Sequence, residues 1–164
     1  MSGLFTLNTD FLILSFQALM LLAVVTWVFS TWLQDVSIVD YIWSLLTLLA
    51  VATYSYLSNL SGALGPVGMG MLLMVVIWGL RLAYFLMVRG HNKPEDRRYQ
   101  VIRKRNSPNF TFKSLYLIFI FQATVAWVMS VSFVPLFDMS MDQQNNWTFW
   151  HSLGVALWLF GFIY

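Results

Sequence analysis

The chain has 164 residues, of which 59% are hydrophobic and only 10% charged, and its mean hydropathy is +0.70. A soluble globular domain carries about 25% charged residues, so this composition excludes a soluble domain and indicates an integral membrane protein. The sequence contains no cysteine, which excludes disulfides and thiolate metal sites.

Five apolar segments reach or approach the roughly 20 residues that a helix needs to cross the hydrocarbon core. The predicted spans are residues 11–32, 40–60, 66–88, 114–137 and 147–164. Pro66 suits the first turn of the third helix, where its missing N–H costs nothing. The pattern predicts an all-α, polytopic transmembrane helical bundle in which residues 1–164 form a single domain.

The fifth segment is still apolar where the sequence stops at Tyr164. Residues 147–164 would form about 27 Å of helix, which just crosses the hydrocarbon core. No polar anchor or helix stop follows. We therefore interpret the chain as truncated within its structure, as the front part of a longer protein.

A basic loop, residues 89–113, holds eight of the nine Lys and Arg residues. Short loops rich in Lys and Arg lie on the cytoplasmic side. This rule predicts a multi-pass protein, in the inner membrane if it is bacterial, with loop 89–113 cytoplasmic and the N-terminus outside. Loop 138–146 would then also lie outside. Membrane lipids are the expected partners, and nothing indicates nucleic acid.

The ninth cation, Arg81, lies inside the third predicted helix, about 12 Å before Arg89 along the helix axis. A charged side chain at this depth is costly and needs a partner. Two interpretations stay open. Arg81 either snorkels and pairs with a helix end or with Asp40, or it binds an anion at the inner mouth of a cavity.

A polar stripe runs along the second predicted helix, and one further polar side chain lies at membrane depth in the fourth. Polar faces in a membrane turn toward protein or a water-filled cavity. The candidates for a polar cavity are Asp40, Ser44, Thr47 and Gln122. Asp40 has a simpler alternative, because an acidic residue in the first turn also favours the helix dipole.

The loop sequence "KPEDRRYQVIRKR" predicts a short amphipathic helix after Pro94. Its adjacent arginines, Arg97 and Arg98, suit bidentate recognition of phosphate. The alternative is a polybasic segment held by anionic headgroups. His91 and His151 are predicted on opposite sides of the membrane, so no metal site is expected.

Three runs carry a family resemblance: "DVSIVDYIWSL" (35–45), "WGLRLAYFLMVRGHNKPEDRRYQVIRKR" (78–105) and "SLYLIFIFQATVAWVMSVSFVPL" (114–136). Over roughly residues 35–164 the chain resembles multi-pass proteins related to the steroid 5-alpha-reductases. The resemblance implies a lipid-open cavity, NADPH at the cytoplasmic face and reduction of an enone double bond in a lipid or steroid-like substrate. The residues it implies around the cofactor are Arg81, Asp96, Arg97, Arg98 and Tyr99.

The resembling family has an Arg-His-Pro-Asn-Tyr-type cofactor motif later in its sequence, and these 164 residues contain none. Cofactor binding is therefore expected to need a further C-terminal part, and this chain alone to be inactive. No catalytic residue is identified. Two alternatives stay open: a non-catalytic membrane bundle or fragment, and a relative of the S-adenosylmethionine-dependent isoprenylcysteine methyltransferases.

Overall fold

The structure, a computed structural model, describes residues 9–164, and the regular secondary structure of this part of the chain is all helical. The longest helix joins five consecutive helical segments without a break. The helices are α1 (Thr9–Leu33), α2 (Ile38–Leu60), α3 (Pro66–Gly90), α4 (Arg97–Arg105), α5 (Phe110–Phe137), α6 (Met141–Asn145) and α7 (Phe149–Ile163).

Four helices, α1, α2, α3 and α5, are long and apolar enough to cross a membrane. This confirms the predicted helical bundle, and the protein is a multi-helix membrane protein. The predicted bounds hold within two residues for α1 to α3, and Pro66 begins α3 as expected. The fifth apolar helix, α7, has 15 residues and is shorter than the four spans.

Helix α2 lies at the centre of the bundle and contacts α1, α3 and α5. Its approach to α3 is close because a glycine faces it. The Ser44 hydroxyl donates a 2.9 Å hydrogen bond to the Gly79 carbonyl. A Cβ at Gly79 would lie 3.3 Å from the Leu48 side chain, so a larger residue would push the two helices apart.

Helix α5 begins at Phe110, four residues before the predicted start at Ser114, and it is not regular. A π-helical segment covers Leu115–Ile120, and a 3₁₀ turn covers Val131–Phe133. The 3₁₀ turn has a local cause. Pro135 lacks an N–H, and its ring would clash with the carbonyl of Val131 in a regular helix.

A buried polar seam joins α1, α2 and α5 at membrane depth. The Tyr54 hydroxyl lies 2.8 Å from the Ser130 hydroxyl, and both side chains are fully buried. Ser15 donates to Tyr54 at 3.3 Å, and the Trp127 indole donates to Ser15 at 3.1 Å. Polar groups in hydrocarbon must find partners inside the protein, so this seam specifies which faces of the three helices meet.

The end of the bundle opposite the basic loop is closed by the short helix α6. Its fully buried Gln144 bridges two long helices. The Gln144 Oε1 accepts a 2.8 Å hydrogen bond from the Gly68 N–H of α3, and its Nε2 donates a 2.7 Å bond to the Leu136 carbonyl of α5. Replacing this side chain by an apolar one would leave two backbone groups without partners.

We therefore expect Gln144→Leu to lower the free energy of unfolding by about 2 kcal/mol, because two buried backbone groups lose their hydrogen bonds. The apparent Tm of the purified protein in detergent should fall by roughly 4–8 °C. Asn145→Leu, at an exposed position of the same helix whose side chain forms no hydrogen bond within the described residues, is the matched control and should cost less. Equal Tm values for the two variants would contradict the bridging role.

The bundle has a basic end and an opposite end, and the basic end is predicted to be cytoplasmic. The absence of cysteine makes single-cysteine labelling a direct test. Lys104→Cys and Asp142→Cys both place an exposed thiol, one at each end. In intact cells a membrane-impermeant maleimide should label Asp142→Cys and leave Lys104→Cys unlabelled until the cells are lysed. The reverse pattern would invert the predicted orientation.

Candidate functional site

Helix α4 begins with an N-cap that also attaches the basic loop to α2. The Asp96 side chain accepts a 2.8 Å hydrogen bond from the Arg98 backbone N–H, and the Asp96 backbone N–H donates to the Ser37 hydroxyl at 2.7 Å. Hydrogen bonds from the Arg98 side chain and backbone hold the pKa of Asp96 below its ordinary value. A charged Asp96 is therefore favoured at the start of the helix.

Asp40, in the first turn of α2, is the acceptor around which the site is built. One carboxylate oxygen accepts a 2.6 Å hydrogen bond from the Tyr99 hydroxyl, and the other accepts a 2.9 Å bond from Arg98 Nη2. Gln122 on α5 donates to the same Tyr99 oxygen at 3.3 Å. The Asp40 carboxylate thereby joins α2 and α4, and Gln122 adds α5.

The two donors to Asp40 differ in what they contribute. The Arg98 side chain is 69% exposed, so solvent screens its pairing with Asp40 and Asp96. Tyr99 is buried. Burial, reinforced by the hydrogen bond to Asp40, raises the pKa of the Tyr99 phenol well above its ordinary value. The Tyr99–Asp40 bond is therefore the stronger attachment of α4.

A second ion pair fixes the start of the loop helix. Arg103 forms a two-pronged pair with Glu95, with distances of 3.1 Å from Nε and 2.7 Å from Nη2. The Glu95 side chain is 13% exposed, and it also accepts the Val36 N–H at 3.0 Å. The Arg103 guanidinium lies over the Phe110 ring, 4.6 Å from its centroid. The charges of Glu95 and Arg103 therefore balance each other.

A cleft of about 450 Å³ lies between the start of α2, the end of α3 and the start of α4. Asp40, Asp96 and Arg98 lie in its wall. Three further cations that line the cleft form no ion pair within residues 9–164; they are Arg89, Lys93 and Arg97. We call this the basic cleft. Its unpaired positive charge suits an anionic ligand.

A larger cavity of about 600 Å³ lies among α2, α3, α5 and α7 and is lined mainly by apolar and aromatic side chains. We call it the aromatic cavity. Five of the eight tryptophans line it: Trp43, Trp78, Trp147, Trp150 and Trp158. Trp43 lies one helical turn from Asp40 on α2, so the aromatic cavity and the basic cleft are neighbours along that helix.

The structure distributes the predicted cofactor residues over three places. Asp96, Arg97 and Arg98 line the basic cleft, whereas Tyr99 is buried behind it against Asp40. Arg81 lies in a separate cavity that shares no lining residue with the cleft. There it donates to the Phe162 carbonyl, and its guanidinium lies 4.3 Å from the centroid of the Phe162 ring. A cofactor role for these residues stays a prediction.

The predicted polar cavity residues also separate. Asp40 lines the basic cleft and Thr47 the aromatic cavity, while Ser44 is used in α2–α3 packing and Gln122 holds Tyr99. They therefore form no single polar cavity in this arrangement. Asp40 does not cap α2, whose N-cap is Ser37.

Several residues that build the site carry no local sequence signal. Ser37 receives the Asp96 N–H, and Glu95 binds Val36 across a separation of 59 residues. Such partners are set by how the helices meet. Gln144 lies in a polar run that reads as an ordinary loop. Glu95 and Arg103 are eight residues apart, which is not the i,i+3 or i,i+4 spacing of helical ion pairs, so the sequence did not signal this pair either.

The fold and the two spaces define a helical membrane protein in which an aromatic cavity lies beside a basic cleft. In comparison with known families, the family described as a protein of unknown function, DUF1295, matches residues 26–164. The chain belongs to this family. No curated protein and no solved structure matches the chain.

The Tyr99–Asp40 bond can be tested by Tyr99→Phe, which removes only the hydroxyl. We expect the free energy of unfolding to fall by about 2 kcal/mol, because the Asp40 carboxylate loses a buried donor. Tyr116→Phe, at an exposed position without a hydrogen bond, is the control and should be neutral.

The same variant has a defined pH dependence. The folded-state pKa of Tyr99 is raised, so its contribution is complete below the unfolded pKa of about 10 and is lost as pH rises toward the folded value. The stability difference between wild type and Tyr99→Phe, from chemical denaturation, should therefore be constant from pH 7 to about 10 and shrink above it. A difference that shrinks below about pH 9 would contradict this assignment.

Proposed function

We propose that this protein binds NADPH in the basic cleft and takes part in reducing an enone double bond of a lipid held in the aromatic cavity. The proposal is supported by the resemblance of residues 35–45, 78–105 and 114–136 to the steroid 5-alpha-reductase relatives. The observation that carries it is the position of the two spaces. A basic cleft and an aromatic cavity lie one helical turn apart on α2, at Asp40 and Trp43.

The residues of the basic cleft fit a phosphorylated cofactor. Asp40 and Glu95 already accept from Arg98 and Arg103, and Asp96 is bound by Arg98. Arg89, Lys93 and Arg97 are left to balance a ligand's negative charge. In this proposal these three side chains hold phosphate oxygens. Arg98 instead holds the wall of the basic cleft in place by binding its carboxylate partners.

Bound NADPH would supply a hydride at the border between the two spaces. The residues of the chain then have separate roles. The cations of the basic cleft bind and orient the anionic part of the cofactor at the water-exposed end of the bundle. The tryptophans of the aromatic cavity hold the apolar substrate and exclude water from the reacting end.

The charge of the basic cleft also bears on the methyltransferase alternative. S-adenosylmethionine carries a sulfonium cation and no phosphate, so three unpaired cations would not favour it. NADPH carries several negative phosphate charges, which the same cations would attract. The electrostatics of the cleft therefore favour the dinucleotide.

The first test is binding, because the Arg-His-Pro-Asn-Tyr-type motif of the resembling family is not among these 164 residues. Arg97→Ala should weaken NADPH binding roughly tenfold, as expected for the loss of one charge-assisted contact. Binding is measured by energy transfer from tryptophan to the reduced nicotinamide in the purified protein. Arg97 is exposed and forms no ion pair within the described chain, so stability should not change.

Lys104→Ala is the matched control, since it removes one charge from the same helix at an exposed position outside the basic cleft. It should leave the NADPH affinity within about twofold of wild type, because distant exposed charges are screened. Equal weakening by the two variants would mean diffuse attraction to a polybasic loop. No binding by wild type would overturn the proposal that the basic cleft of these 164 residues holds the cofactor without the C-terminal motif of the resembling family.

A further inference from the structure

The aromatic cavity extends along the bundle away from the basic cleft. On α3 its lining runs from Val67 to Trp78, which is about 16 Å of helix. On α7 it runs from Trp147, just before the helix, to Trp158. Cavities of roughly 300–1,000 Å³ accommodate small molecules, so a volume of about 600 Å³ is sufficient for one elongated lipid.

His151 is the one ionisable side chain that lines the described part of the aromatic cavity. It occupies the third position of α7, far along the chain from the residues that border the cleft. Its Nδ1 accepts a 3.0 Å hydrogen bond from the Thr148 backbone N–H and lies 2.9 Å from the Thr148 hydroxyl. The first contact is one half of the capping box of α7, and in the other half the Thr148 side chain accepts the His151 backbone N–H.

This capping box determines which nitrogen of His151 carries the proton. A backbone N–H can only donate, so Nδ1 must accept and is unprotonated. In the neutral ring the proton is then on Nε2, on the opposite side of the imidazole from Thr148. Within residues 9–164 the Nε2 atom has no protein partner, so it presents a donor of fixed orientation at a cavity wall.

The other polar groups of the cavity are weaker anchors. The Ser132 hydroxyl is already used, because it donates to the Met129 carbonyl of its own helix. Thr47 lies deeper, near the middle of α2, and is nearly buried. His151 therefore distinguishes one end of an otherwise apolar space, at the end remote from the basic cleft.

We propose that the aromatic cavity binds a lipid with a carbonyl or hydroxyl oxygen at one end, and that His151 Nε2–H donates to that oxygen. The oxygen would lie at the α6–α7 end, and the apolar body would extend past the tryptophans toward Trp43. The inference rests on the proposed function in one respect only, which is that it calls the ligand a substrate. The end of that substrate opposite the oxygen would face the cofactor. Recognition of the oxygen is independent of NADPH.

The test uses two probes that differ in one atom group: a saturated tetracyclic steroid with a single ring ketone, and the same hydrocarbon without it. Each competes with a brominated alkyl quencher of tryptophan fluorescence, in purified protein without nicotinamide. Wild type should prefer the ketone by roughly three- to tenfold, the value of one net hydrogen bond. His151→Leu should abolish this preference while binding the hydrocarbon as wild type does.

His151→Gln is the control for the capping role, because glutamine is a regular capping-box residue and keeps an N–H donor. It should preserve part of the preference for the ketone. Ser132→Ala changes another polar group of the same cavity and should leave the preference intact. The comparison of two ligands on wild type stands even if His151→Leu does not fold.

Three results would overturn the inference. Equal affinity of wild type for both probes would mean that no donor in the cavity forms a hydrogen bond with the oxygen. An unchanged preference in His151→Leu would assign the oxygen to another group. If neither probe protects the tryptophan fluorescence from the quencher and light scattering shows a dimer, a second copy of the protein covers the cavity. None of these results depends on NADPH, so failure here is distinct from failure of cofactor binding.

Discussion

The carboxylate of Asp40 is the acceptor on which the arrangement of the basic end depends. It lies in the first turn of the central helix, where it receives Tyr99 at 2.6 Å and Arg98 at 2.9 Å from the loop helix. A charged acceptor half-sheltered from water makes the Tyr99 bond strong, whereas the exposed Arg98 adds little energy. With α4 attached in this way, its first residue, Arg97, lines the basic cleft and forms no ion pair within the described residues.

The bilayer imposes the second constraint, which is that polar groups at membrane depth need partners inside the protein. Most buried polar side chains of the described residues meet it, and the Ser58 hydroxyl, which has no hydrogen-bond partner, is the exception. Tyr54 and Ser130 satisfy each other in the core, Ser44 uses a backbone carbonyl of α3, and Gln144 satisfies two backbone groups at the far end. These contacts specify how the helices fit together. His151 differs because only one of its two ring nitrogens is used in this way.

The division of labour between neighbouring residues follows from this geometry. Arg97 and Arg98 are adjacent and chemically identical, yet Arg98 is bound to two carboxylates and Arg97 to none in the described chain. A helix turns by about 100° per residue, so adjacent side chains face different surroundings. The same rotation puts Tyr99 against the core. The basic run looks uniform in the sequence, but its neighbouring residues have different roles. Arg98 attaches α4 to α2, Arg97 lines the basic cleft and Tyr99 is buried in the core.

The sequence by itself determined the membrane class, the long helices, Pro66 at a helix start and the clustering of charge in one loop. These features follow from local quantities: the length of an apolar run, the fixed φ of proline and the composition of a segment. Even here α5 began four residues early, because helix ends depend on tertiary contacts as well as on composition. A family of unknown function matches residues 26–164, which include the region of about 35–164 over which the resemblance was noted.

Only the tertiary structure decided which polar groups meet. For Arg81 the sequence left a helix end, Asp40 and an anion-binding cavity mouth open, and the structure pairs it with the Phe162 carbonyl in the last turn of α7, which is a helix end outside the basic cleft. Asp40 with Tyr99, and Glu95 with Val36, are each joined across 59 residues. The physical reason is that hydrophobic length places a helix in the membrane but does not set its rotation or its neighbours. Those are selected by interhelical packing and by the need to pair each polar group, and both are properties of the assembled bundle.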